Sequence, residues 1–165
     1  MVASDGWFVL NLADVVWTRN ERSGEWTDLE GKSAFDQYGI GVHVVQPGQP
    51  NGLYHSESVQ EDFLVLSGEC ILVVEEQERR LRAWDFFHCA PGTHHIIVGA
   101  GDGPCAILMV GMRGHGKTLH YPPSEVAGRH GAAAPEETDA PREAYRDWPG
   151  EFTPVRASWP PHAAA

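Results

Sequence analysis

Three side chains able to ligate a metal fall within the short stretch His55-Ser-Glu57-Ser-Val-Gln-Glu61. Positions an even number of residues apart share a face of an extended chain, so His55, Glu57 and Glu61 can converge on one interior point. Further along, Pro91-Gly92-Thr93-His94-His95 brings two more imidazoles to the head of the apolar run Ile96-Ile97-Val98. Neighbouring residues on a strand point to opposite faces, so only one of His94 and His95 can join the group. Two carboxylates buried together without a cation cost several kcal/mol each, a penalty that a metal removes. The alternative is plain: an exposed His-x-Glu pair beside a turn, with the imidazole of the second group bonded to a backbone carbonyl.

Short strands must position these residues. Gly41–Val45, Asp62–Leu66, Cys70–Val74, Arg79–Leu81, Asp85–His88, His94–Val98 and Pro104–Met112 each read as strand, separated by turns such as Ser67-Gly68 and Gly99–Gly103. Closely spaced runs of this kind point to a closed or sandwiched antiparallel sheet. Before them, Val15-Val16-Trp17 reads as a possible strand and Arg19–Gly31 as a polar loop anchored by Trp26; such a segment adds edge strands. After them the chain becomes rich in proline. Two short helices are expected there, one capped by Ser124 and closed by Gly131, the other capped by Thr138 or Asp139 with Pro141 in its first turn. Tyr145, Trp148, Phe152 and Trp159 should pack this tail on the body, with a loose end from Arg156 onward.

Composition agrees with one small all-β domain. The chain has 165 residues, with 18 Gly and 12 Pro punctuating it, and 42% hydrophobic residues. With 23 Asp and Glu against 12 Lys and Arg, its net charge of −11 repels phosphate backbones and anionic lipid surfaces, so neither nucleic acid nor membrane is expected as a partner. Neither a signal peptide nor a spanning segment is legible, and a cytoplasmic location is expected. Cys70, Cys89 and Cys105 show no paired spacing and read as reduced core thiols.

The His/Glu pattern resembles that of a small single-domain cupin of the RmlC-like superfamily, of bacterial type. The first cupin motif runs G-x5-H-x-H-x3or4-E-x6-G; here Gly48 precedes His55 by one extra residue, Glu57 replaces the second histidine, Glu61 takes the glutamate place and Gly68 closes the motif. The second runs G-x5-P-x-G-x2-H-x3-N; here Trp84 takes the first glycine place, Ala90 the proline place beside Pro91, Gly92 the next glycine place, His95 the histidine place and Gly99 the asparagine place. The resemblance covers residues 40–113. It implies a double-stranded β-helix, or jelly-roll barrel, over residues 1–113, with N-terminal edge strands and an irregular, short-helical extension at 114–165.

It also implies one divalent metal on His55, Glu57, Glu61 and His95, with His94 outward. Two imidazoles and two carboxylates suit Fe, Mn, Ni or Zn rather than Cu(I). If Glu57 stays off the metal, two His and one carboxylate remain, a pattern associated with non-haem Fe(II) oxygen chemistry. His43 is a weak candidate for handling protons near the metal, with a structural role its simpler reading, while Trp84 and His88 read as barrel packing. Phe63 and Val65 share the parity of Glu61 and should face the cavity, with Phe35, Tyr38, Tyr54, Phe86, Ile97 and Met109 as wall candidates. His115, His120, His130 and His162 lack useful spacing. The expected protein is a metal-dependent enzyme, an oxidoreductase of the oxygenase kind or an isomerase, acting as a homodimer on a small polar organic molecule. The alternative is a non-catalytic cupin that binds or senses a sugar or organic acid.

Overall fold

The computed structural model describes residues 6–31, 34–148, 150–156, 158 and 159. Its strands are β1 (Val16–Asn20), β2 (Gly24–Asp28), β3 (Tyr38–Val45), β4 (Ser56–Glu57), β5 (Glu61–Ser67), β6 (Glu69–Val74), β7 (Gln77–Arg82), β8 (Phe86–Cys89), β9 (His95–Ala100), β10 (Cys105–Met112), β11 (Leu119–His120) and β12 (Thr153–Arg156). Two single-turn helices, α1 (Glu125–Gly128) and α2 (Pro141–Ala144), interrupt the C-terminal segment. The strands form a large sheet in the order β12-β1-β2-β3-β10-β5-β8, a smaller one in the order β7-β6-β9, and the β11-β4 pair. All pairings are antiparallel. This is the double-stranded β-helix expected from the sequence.

Period-two patterning explains which face each strand buries. Phe63 and Val65 of β5, Leu72 of β6, Ile97 of β9 and Ile107 of β10 meet between the two main sheets, together with Cys70, Cys89 and Cys105. All three cysteines are free and buried, as their spacing suggests. On the outer face of the large sheet, Val42 and Val44 of β3 pack beneath Trp17. On the outer face of the small sheet, Val73 and Ile96 pack with Tyr54, Ala127 and Ala132, so α1 covers what would otherwise be an exposed apolar surface.

Close backbone approaches show why glycine is required at two motif positions, one in a turn and one within β9. Gly68 has φ +77° between β5 and β6, and a Cβ there would lie 2.4 Å from the Pro104 carbonyl oxygen. A Cβ on Gly99 would lie 2.2 Å from the Gln46 oxygen. Trp84, in a position where the motif has glycine, also takes a left-handed conformation, with φ 77°. That conformation is costly for a residue with a Cβ.

Several expectations need correction. Arg19–Gly31 is no simple loop: it holds β2, paired to both β1 and β3, because Trp26 and Thr27 align with His43 and Val42. The tail is less irregular than its prolines suggest, since β12 pairs with β1 and supplies the edge of the large sheet. Ser124 does cap α1, accepting from the Ala127 N–H. The cap residue of α2, however, is Ala140 with Pro141 at the first position; Thr138 accepts from the Ala140 N–H and donates to Glu143 instead. Trp84, expected to pack in the barrel, and Phe86, expected in the cavity wall, are instead 75% and 63% exposed, Trp84 in the turn before β8 and Phe86 on the outward face of that edge strand. His88 is also outward, bonded through Nδ1 to Asp62 at 2.7 Å. The expected loose end from Arg156 onward, and His162, fall largely outside the described residues.

Candidate metal centre

A backbone bridge sets the centre. His55 and His95 face each other directly, the His55 N–H donating to the His95 carbonyl at 3.2 Å and the His95 N–H to that of His55 at 2.8 Å. Their rings therefore stand 5.3 Å apart. Glu61 opens β5 opposite Cys89 and reaches the same point from the other sheet. Donor atoms of His55, Glu61 and His95 all lie within 4.8 Å of one another, the one such group among the described residues.

The hydrogen bonds around this trio leave their metal-facing atoms free. His55 Nδ1 lies 2.7 Å from the Leu53 carbonyl, and His95 Nδ1 lies 3.1 Å from the Thr93 carbonyl. A carbonyl can only accept, so each Nδ1 carries a proton and, in the neutral ring, each Nε2 presents a lone pair. His95 Nε2 is 3.5 Å from Glu61 Oε2, an oxygen that is buried without a hydrogen-bond donor. Two free lone pairs and an orphaned carboxylate oxygen converging in one buried place lack a positive charge, and a divalent ion fits that need. Aromatic neighbours fix the rings: Tyr121 stacks on His55 at 5.4 Å, and Phe63 lies 5.2 Å from His95.

Burial and the neighbouring Glu57 charge push the Glu61 carboxyl up to about 7. Burial, and the charge that His55 carries when it is protonated, lower His95 to about 4. For His55, burial opposes the charged form, but Glu57, Glu61 and the Leu53 carbonyl outweigh it and hold the pKa above the usual imidazole value. These opposed shifts in a single cleft mark a functional site more often than a structural one.

Glu57 stands apart from the trio. Its Oε1 is 3.9 Å from His55 Nε2, and its Oε2 pairs with the Lys117 ammonium. Burial disfavours its charge, yet His55 and Lys117 hold it below the usual carboxylate range. His94 points away from the centre, stacking on Tyr54 at 5.8 Å. His43 is buried, bonded through Nε2 to the Ser23 carbonyl at 2.5 Å and set against Trp26, and burial lowers its pKa to about 4.

A cavity of about 240 Å³ adjoins the trio, which contributes Glu61 to its wall; His43, Met109, Trp26, Arg113 and Lys117 are among its other lining residues. Of the expected wall residues, Met109 lines this cavity, while Ile97 lies in the core and Tyr54 packs under α1. Phe35 and Tyr38 line a separate surface pocket. The two cations, Arg113 and Lys117, carried no sequence signal, because their partners are remote. Arg113 pairs with buried Glu30 through two nitrogens, each at 2.7 Å.

Residues 41–111 match the cupin domain family. The chain carries a cupin domain. No curated protein matches the sequence significantly. Among solved structures, the cupin barrel is similar to a sugar phosphate isomerase from Silicibacter pomeroyi, with 24% identity, TM-score 0.54 and coverage of 67% of this chain and 68% of the other. It also resembles the polyketide cyclase RemF from Streptomyces resistomycificus, with 16% identity, TM-score 0.56 and coverage of 64% and 79%. KdgF from Halomonas sp. gives 19% identity, TM-score 0.55 and coverage of 67% and 96%. At these identities the likeness concerns the fold. No helix among the described residues is long and apolar enough to cross a membrane.

Proposed function

We propose that this cupin is a metal-dependent enzyme acting on a small, oxygen-rich polar molecule, of the isomerase or oxygenase kind. The observation that carries the reading is the convergence of His55 Nε2, His95 Nε2 and the donorless Glu61 Oε2 beside a cavity lined with both acidic and basic side chains. His55, Glu61 and His95 hold the metal; Fe, Mn, Ni and Zn all suit such donors. A bound divalent ion there supplies Lewis acidity toward a chelating carboxylate or hydroxyketone or, if iron, the capacity to activate O₂.

The chain's own residues do the remainder. The Leu53 and Thr93 carbonyls hold the two imidazoles in the tautomer that leaves Nε2 free. Tyr121 and Phe63 pack against the rings, and Lys117 and Arg113, each paired with a carboxylate, offer N–H donors at the cavity wall to the oxygens of a polar substrate. A cavity of about 240 Å³ limits that substrate to a small molecule. Two solved structures of the same fold are described as a sugar phosphate isomerase and a polyketide cyclase.

The test is a panel of keto acids, catechols and sugar phosphates supplied to metal-loaded protein, followed by oxygen uptake and by NMR for isomerised product. Turnover that His55→Ala abolishes is the expected result. Ligand-induced shifts without turnover across the panel would identify the non-catalytic alternative.

A further inference from the structure

Glu57 occupies the place where the cupin motif has its second histidine, yet the structure gives it a different partner. Its carboxylate is buried, and its Oε2 is paired with Lys117. Lys117 is positioned by backbone: β11 pairs with β4 so that Leu119 aligns with Glu57, the Ser58 N–H donates to the Thr118 carbonyl at 3.0 Å, and the Thr118 N–H donates to Ser58 Oγ at 2.9 Å. The segment that carries the ammonium is thus tied to the strand that carries the carboxylate. Glu57 Oε1, at 3.9 Å from His55 Nε2, is beyond hydrogen-bond reach of the imidazole and outside the group of converging donor atoms.

We propose that Lys117 is a positioning residue that withholds Glu57 from the metal, so that the centre has three protein ligands, His55, Glu61 and His95, instead of four. The inference rests on the metal-centre reading above. The pair substitutes an internal salt bridge for a metal–ligand bond. A buried carboxylate that loses its cation must find another. Without Lys117, a metal on His55 is the cation available to Glu57. The Lys117–Glu57 pair therefore preserves open coordination positions for substrate oxygens and keeps one carboxylate charge off the ion. Because Lys117 also lines the substrate cavity, a bound anion would contact the same ammonium that restrains Glu57.

The test titrates the full-length protein with Mn²⁺ by calorimetry and records the visible spectrum of the Co²⁺ form. Folding of each variant is checked by circular dichroism. Glu57→Gln is expected to change Mn²⁺ affinity by less than about threefold, whereas Lys117→Gln should bind about tenfold more tightly, as ligand-orienting partners commonly shift affinity by that order. Lys117→Gln should also alter the Co²⁺ spectrum by adding a ligand. Both effects should vanish in Lys117→Gln combined with Glu57→Gln, and Lys117→Arg should behave as wild type. A gain that persists in the double variant is a simple charge effect and overturns the proposal. So does a tenfold or greater loss, with a changed Co²⁺ spectrum, in Glu57→Gln alone. If wild type and Glu61→Gln both fail to bind Mn²⁺, the metal-centre reading falls and takes this inference with it.

Discussion

Two histidine–carboxylate clusters lie on opposite faces of the strand that begins at His95. Inside, His55, His95 and Glu61 converge in a buried site with both Nε2 atoms unspent. Outside, the rings of His94 and His120 stand 5.6 Å apart amid Glu75, Glu137 and Asp139. The residue types are the same, but the outer carboxylates are exposed and Asp139 already engages His120 Nδ1 at 2.7 Å. Exposed ion pairs of this kind contribute at most about 1 kcal/mol. What separates the two clusters is convergence and desolvation. The backbone bridge between His55 and His95 aims donors at a single point, whereas the outer rings meet edge to face and their acids turn to solvent.

The largest expected effect is on the inner cluster. His95→Ala should weaken Mn²⁺ binding by at least about a hundredfold in calorimetric titration, because a metal centre that loses an imidazole ligand loses more than one that loses an orienting partner. Retained affinity would show that the inner and outer histidines do not differ in the way described.

Acidification should come next. Burial holds His43 at about 4 in the folded protein against an ordinary 6.5. As pH falls through 6.5 the unfolded chain takes up this proton first, so the His43 contribution to stability declines between 6.5 and 4 and changes no further below. His43 alone accounts for up to about 3 kcal/mol. Urea denaturation across this range should show His43→Gln losing less stability on acidification than the wild type, whose Glu61 contributes in the opposite sense.

A smaller gain is expected on the outside. Trp84→Gly relieves the left-handed backbone of an exposed residue and should stabilise the protein by about 1 kcal/mol, seen as a higher urea midpoint. The smallest effect belongs to the outer cluster itself: His94→Ala with His120→Ala should leave Mn²⁺ affinity within about twofold, since these residues lie outside the metal centre. A loss comparable to that of His95→Ala would erase the distinction between the two faces.

Much of this comparison is legible in the sequence. Strand parity puts His94 and His95 on opposite faces, the cupin motif singles out His95, and the even spacing of Glu61, Phe63 and Val65 puts these three on one face. The barrel strands from Tyr38 to Met112 follow from apolar runs bounded by Gly and charged turns. What escaped the sequence is long-range. Lys117 reaches Glu57 only because β11 pairs with β4, and Glu30 meets Arg113 across the ends of remote strands. β2 was hidden because its polar residues, Glu25 and Thr27, find partners within the fold, in Arg19 and the Val16 carbonyl. Trp84 misleads for the opposite reason: a large aromatic suggests packing, but the turn it occupies faces outward.

The central claim is that burial and convergence make His55, Glu61 and His95 a metal centre. Elemental analysis of untagged protein, purified without chelator alongside Glu61→Gln, tests it most directly. Stoichiometric Fe, Mn, Ni or Zn in the wild type and its loss in Glu61→Gln are the predicted result; a wild type without transition metal, or a Glu61→Gln variant that retains it in full, would contradict the claim.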